Sequence, residues 1–164
     1  MKKAVLFLAV SVMAGFSTFP LQAKGTDPKK VKQEVRKEEE QTYIKAIRLV
    51  NTEDGKCTYE VGKIPTKMRM ETTSFFGQTK VDAYEKVAHP APRRQYVVTI
   101  KGKLKFKVSN GDTFIIEPGV ILIAEDTKGT GHTWDLVDGD KWERLYIPLN
   151  EGGEDHFIPE KSKK

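Results

Sequence analysis

Three histidines supply the side chains of this sequence that are best suited to acid–base chemistry or metal binding near neutral pH. His89 and His132 bracket the centre of the chain, whereas His156 lies in the acidic, glycine-rich stretch EGGEDHF and is expected at the surface. Gln95 and Arg93 follow His89 closely, and alternation along a strand would place both on one face. A guanidinium beside an imidazole can hold the carboxylate of a small acid. The candidate ligand-binding residues are therefore His89, Arg93, Gln95 and His132, for a small polar or anionic molecule.

Several catalytic classes lack support in the sequence. There is no G-x-S-x-G elbow, no glycine-rich phosphate loop and no H-E-x-x-H helix. Cys57 is the only cysteine, so neither an intrachain disulfide nor a zinc finger can form. A free cysteine in a strand pattern is usually a small buried hydrophobic residue, and Cys57 is interpreted in that way.

A longer pattern runs through HPAPRRQYVVTIKG and continues in PGVILIAEDTKGTGH. The spacing of His89, Gln95 and Gly102 resembles the first motif of the cupin superfamily, and Gly119 followed by His132 resembles the second. Within that superfamily the segment is most similar to small single-domain bacterial cupins. The resemblance implies an all-β fold, a double-stranded β-helix or jelly-roll barrel, with His89, Gln95 and His132 near its mouth. It also implies a homodimer, because many cupins pair.

The same resemblance implies a metal centre with a reduced set of ligands. Most cupins use three histidines and one carboxylate, but Ala91 and Gln95 stand here at two of those positions. An amide oxygen is neutral and binds a divalent cation less strongly than a carboxylate does. The prediction is one divalent transition metal held by His89, Gln95 and His132, completed by Glu125 or Asp126. The alternative for these two acids is a salt bridge to Arg93.

Short runs of alternating apolar residues predict the elements that position these side chains. In KLKFKVS, Leu104, Phe106 and Val108 should face the core while the intervening lysines face solvent. VILIA, residues 120–124, is apolar throughout, as in a strand covered on both faces. Hairpins are predicted at Asp54-Gly55, Asn110-Gly111 and Asp138-Gly139, with a bend at Gly102. The aromatic residues Trp134, Trp142 and Tyr146 are assigned to the core, with a ligand pocket as the alternative.

The N-terminus predicts export and a domain that begins near residue 42. Residues 1–23 combine Lys2-Lys3, an apolar run and a small-residue end at Ala23, which is typical of a cleaved signal peptide. The apolar run is shorter than the roughly 20 residues that span a bilayer, so no membrane association is expected after cleavage. We expect a charged linker at 24–41, the cupin domain at 42–150, a polar tail at 151–164 and a periplasmic or extracellular location.

Composition fits one soluble domain in the 164 residues, which carry a net charge of +5. The lysines of KLKFKVS are not interleaved with exposed aromatic residues, so nucleic acid is not expected as a partner. Three classes of function remain open at this stage. They are a binding protein for a small molecule, a metal-dependent oxygenase or isomerase, and an interaction or dimerisation module.

Overall fold

A computed structural model describes residues 41–72 and 74–161 of the chain. The predicted signal peptide and nearly all of the predicted linker lie outside these residues. The described chain is almost entirely β-structure, and the prediction of an all-β fold is confirmed. Its strands are β1 (Tyr43–Asn51), β2 (Cys57–Pro65), β3 (Phe76–Gln78), β4 (Gln95–Val108), β5 (Thr113–Ile116), β6 (Val120–Ala124), β7 (His132–Pro148) and β8 (Ile158–Pro159), with one 3-10 helix at Ala83–Lys86.

The strands form one sheet of eight in the order β3-β7-β4-β6-β1-β2-β8, with β5 paired to β4. This order has two ends, at β3 and β8, so the strands do not close into a ring. Neighbouring strands are antiparallel except β1 and β6, which run parallel. The strands β4 and β7 form the longest ladder, and the start of β7 lies at one end of it.

Apolar residues cover both faces of the centre of the sheet. Along β6, Leu122 belongs to the larger core cluster and the adjacent Ile123 belongs to a second cluster on the other face. This confirms the interpretation of VILIA as a strand covered on both sides. Leu104, Phe106 and Val108 are buried in the larger cluster, as their alternation with lysines predicts. The larger cluster lies beside the cavity described below.

Two of the three predicted hairpins are present, and the third is wrong. The chain turns between β1 and β2 at Gly55 and between β4 and β5 at Gly111, each with positive φ. At Asp138-Gly139, however, β7 continues, and its two halves both pair with the single long strand β4. The register shifts beside Gly102, where a Cβ atom would come 2.7 Å from the Lys141 carbonyl oxygen. The two strands therefore bend together at this point. The Asp138-Gly139 pair serves this bend and does not form a hairpin.

The segment interpreted as a polar tail takes part in the fold. Strand β8 pairs with Gly62 and Lys63 of β2. The Asp155 carboxylate accepts a hydrogen bond of 2.9 Å from Arg48, and the Asp155 carbonyl accepts one from the buried Tyr96 hydroxyl. The polar residues of this segment thus attach it to β1 and β4, an effect that its composition does not predict.

Candidate ligand-binding cavity

A small cavity lies between β4, β6, β7 and the 3-10 helix, with about 30 Å³ of space for the centres of water-sized molecules. This space is small and accommodates only a few water-sized molecules. Its polar lining includes the side chains of His89, Gln95 and His132, three of the four residues predicted to bind a ligand. The apolar wall is aromatic and contains Phe106, Trp134, Trp142 and Tyr146.

The backbone holds the two histidines side by side. His132 opens β7, and His89 forms an isolated antiparallel bridge with it. The two residues exchange both backbone hydrogen bonds, at 3.1 and 3.0 Å, and their ring centroids lie 4.8 Å apart. Gly131 permits this approach: its φ is +70°, and a Cβ atom there would come 2.0 Å from the His89 carbonyl oxygen.

Hydrogen bonds fix the tautomer of each imidazole. His89 Nδ1 lies 2.8 Å from the Val87 carbonyl oxygen, which can only accept, so Nδ1 carries the proton. His132 Nδ1 lies 2.6 Å from a carboxylate oxygen of the fully buried Asp126. In the neutral form, each ring then keeps the lone pair of Nε2 as a free acceptor.

Gln95 is the most unusual polar residue of the lining. It is only 4 % exposed, but its amide is not among the enclosed polar groups that lack a partner, so the amide remains accessible from the cavity. The Gln95 amide borders the cavity and therefore offers a donor and an acceptor to whatever occupies it.

Arg93 does not join the other three predicted residues. Strand β4 begins only at Gln95, so the alternation that would place Arg93 beside it does not extend to residues before that point. Arg93 is exposed and does not line the cavity. The predicted salt bridge to Glu125 is made instead by Arg94, at 2.5 Å. The cavity thus lacks the cation on which the preference for an anionic ligand rested.

A buried ion pair supports the opposite wall. Glu85 of the 3-10 helix lies 2.5 Å from the guanidinium of Arg144 on β7, and both side chains are almost fully buried. Arg144 also donates to the Tyr146 hydroxyl at 2.7 Å, and its guanidinium lies over the Trp142 ring at 4.2 Å. Burial raises the pKa of Tyr146 and so keeps its phenol neutral. These contacts attach the helix that carries Tyr84, another lining residue, to the sheet.

A second polar cluster lies on the other side of His132. The Asp126 oxygen bonded to His132 also accepts a hydrogen bond from the Cys57 thiol, with Sγ and Oδ2 3.3 Å apart. Cys57 is fully buried in the core cluster, which confirms its interpretation as a buried residue. Burial and the adjacent Asp126 charge raise the pKa of its thiol. Neither Cys57 nor Asp126 lines the cavity.

Tyr84, Glu85 and Arg144 were missed by the sequence-based reasoning. Tyr84 and Glu85 lie in a single helical turn that is too short to show a helical period. One local signal was available, since Asp82 and Glu85 have the spacing of a capping box, in which Glu85 accepts a hydrogen bond from the Asp82 amide at 2.7 Å. Arg144 lies in the predicted strand KWERLYI, but nothing in the sequence identifies its partner.

Comparison with known proteins does not assign the chain to a family. No protein-family model matches the chain, and no curated protein matches it. Within residues 41–72 and 74–161, no helix is both long enough and apolar enough to cross a membrane.

Proposed function

We propose that the protein binds a small polar molecule in the cavity between β4, β6 and β7. The observation that carries the proposal is the position of Gln95, a 4 % exposed residue that lines the cavity together with two histidines. Two imidazoles whose Nδ1 atoms are already bonded lie beside the same space. Small-molecule sites usually combine an apolar, aromatic lining with a few polar groups that converge on the ligand.

The polarity of the lining favours a neutral ligand with O–H or N–H donors. Both Nε2 atoms are acceptors when the imidazoles are neutral, and Glu85 adds a carboxylate to the same lining. The cationic Arg144 is already paired with Glu85, and Arg93 is outside the cavity. Of the polar and anionic ligands expected from the sequence, the polar class therefore fits better. The available space limits the ligand to a few non-hydrogen atoms unless the wall formed by Tyr84 moves.

The fold type, the location and the assembly of the protein are proposed from the sequence resemblance and the cavity together. We infer that the sheet is a double-stranded β-helix of the cupin type, since His89, Gln95 and His132, matched to motif positions, line one cavity. The signal-peptide pattern supports a periplasmic or secreted protein. A homodimer remains the expected assembly from the resemblance, and a role as an interaction module would leave the cavity unused.

Substitution of Gln95 tests the binding function. The Gln95→Leu variant keeps a similar side-chain volume but removes both hydrogen-bonding groups, so we expect it to bind acetamide and ethylene glycol at least 10-fold more weakly than the wild type. A tenfold change corresponds to about 1.4 kcal/mol, the size of one lost hydrogen bond. The measurement is a titration followed by NMR, with acetate as the anionic probe.

The Arg93→Met variant is the control, because its side chain lies outside the cavity. Unchanged affinity in Gln95→Leu would contradict the proposal, as would binding of acetate that is lost in Arg93→Met.

A metal-dependent enzyme is the second candidate, and the arrangement of the histidines favours it. Metal-binding imidazoles usually donate their other nitrogen to a carbonyl or carboxylate, as His89 and His132 both do. An ion there would be held by His89, His132 and the Gln95 oxygen, and would polarise a substrate oxygen. Elemental analysis of the wild type beside the His89→Ala/His132→Ala double variant tests this function. A metal lost from Gln95→Leu and the double variant would favour the enzyme.

A further inference from the structure

We propose that Cys57, Asp126 and His132 form a buried site for a divalent ion of the zinc class, separate from the ligand cavity. The three side chains come from different parts of the chain: the start of β2, the loop after β6 and the start of β7. One ligand atom from each lies within 4.8 Å of the other two, and all three residues are buried. This inference concerns the Nδ1 side of His132, whereas the proposed ligand binds on the Nε2 side.

An unpartnered oxygen points to a missing cation. Asp126 is fully buried, and although Oδ2 accepts two hydrogen bonds, Oδ1 has no partner among the described residues. A buried carboxylate oxygen without a partner is costly. A cation bound to Asp126 would neutralise the carboxylate charge and would give Oδ1 a partner.

The donor set selects the kind of ion. Thiolate, imidazole and carboxylate together suit zinc, which binds these donors at about 2.0–2.3 Å, so that two of its ligands lie no more than about 4.4 Å apart. Asp126 Oδ2 lies 3.3 Å from Cys57 Sγ and 2.6 Å from His132 Nδ1, and one ligand atom from each residue lies within 4.8 Å of the others. Small side-chain rotations would bring three donors at this spacing around one ion. Hard ions such as Mg²⁺ and Ca²⁺ prefer all-oxygen sites and would not select a cysteine. Three protein ligands leave one position of a tetrahedral ion free.

Binding of the ion changes the protonation of two ligands. The Cys57 thiol loses its proton to solvent as Sγ binds the ion, since the thiolate is the ligand form. The proton on His132 Nδ1 leaves as that nitrogen binds, and Nε2 gains one, so that the imidazole remains neutral. One proton per ion is therefore released overall. His132 then presents an N–H donor to the cavity in place of a lone pair.

Cobalt is the probe that reports the thiolate directly. We expect protein purified without chelator or polyhistidine tag to bind one Co²⁺ or Zn²⁺ per chain, and the cobalt form to show a near-ultraviolet thiolate-to-metal band. The Cys57→Ser variant, which is nearly isosteric, should lose this band and bind zinc at least 10-fold more weakly. His89→Ala is the matched control, because it removes the other imidazole of the pair and leaves the three ligands in place.

The possible outcomes separate this site from the cavity. A cobalt form of the wild type without a thiolate band would overturn the proposal, whether or not any variant folds, and so would a chain that binds neither metal. Metal lost from His89→Ala but retained by Cys57→Ser would overturn the proposal and place the ion in the cavity instead. Circular dichroism of each variant shows whether it has folded. Gln95→Leu should keep the cobalt band, so failure of the zinc site leaves the ligand-binding test unaffected.

Discussion

Replacing Arg144 with methionine is expected to lower the free energy of unfolding by about 3–5 kcal/mol, the usual effect of removing one partner from a buried ion pair. Arg144 is 1 % exposed, and its loss would leave the Glu85 carboxylate buried without its cation. For a domain of this size, the melting temperature should fall by roughly 10–20 °C. Chemical denaturation followed by circular dichroism measures the change.

Two further variants make this expectation specific. Arg93→Met applies the same substitution to an exposed arginine and should leave stability nearly unchanged. The Glu85→Leu/Arg144→Met double variant should recover much of the loss, because an apolar pair avoids an unpaired buried charge. An Arg144→Met protein as stable as the wild type would show that the ion pair does not support the wall of the cavity.

The substitution Gly131→Ala is expected to separate the two histidines of the cavity. The added methyl group would meet the backbone of His89 and Pro90 at 2.0–2.3 Å, and backbone atoms cannot rotate away as a side chain can. Relief of this clash requires loss of the paired backbone hydrogen bonds between His89 and His132. The lost hydrogen bonds and the cost of positive φ for alanine together should destabilise the protein by about 2–5 kcal/mol. We also expect acetamide binding to be lost.

Gly119→Ala is the matched control for that variant. Gly119 also has positive φ, at +93°, but nothing lies within 4 Å of its added Cβ. It should therefore show only the conformational cost of about 1–2 kcal/mol and keep the affinity for acetamide. Equal stability and equal binding in the two variants would contradict the role given to Gly131.

The strands were predictable because their side-chain alternation records which face is buried. The run from Leu104 to Val108 alternates as predicted, and the apolar 120–124 segment supplies both core clusters. The prediction of a hairpin at Asp138-Gly139 was wrong because a local turn signal does not show whether the chain reverses or only bends. That distinction depends on β4, more than thirty residues earlier, which pairs with both halves of β7.

The candidate site was only partly predictable, for a similar reason. His89, Gln95 and His132 were selected from their types and spacing and all line one cavity, while their binding of a ligand stays a prediction. Arg93 was misplaced because the strand that would orient it begins later, at Gln95. The Glu85–Arg144 pair and the Cys57–Asp126 contact join residues about 60 and 70 positions apart, at 2.5 and 3.3 Å. Single-sequence patterns report local periodicity and contain no information on such pairings.

Nitrogen-15 NMR of the histidine side chains during an acetamide titration tests the central proposal most directly. The proposal predicts that, in protein freed of metal, His89 and His132 both carry their proton on Nδ1. It also predicts that both Nε2 resonances shift as acetamide fills the cavity. An Nε2–H tautomer at either residue, or Nε2 resonances that do not respond to acetamide or ethylene glycol, would contradict it.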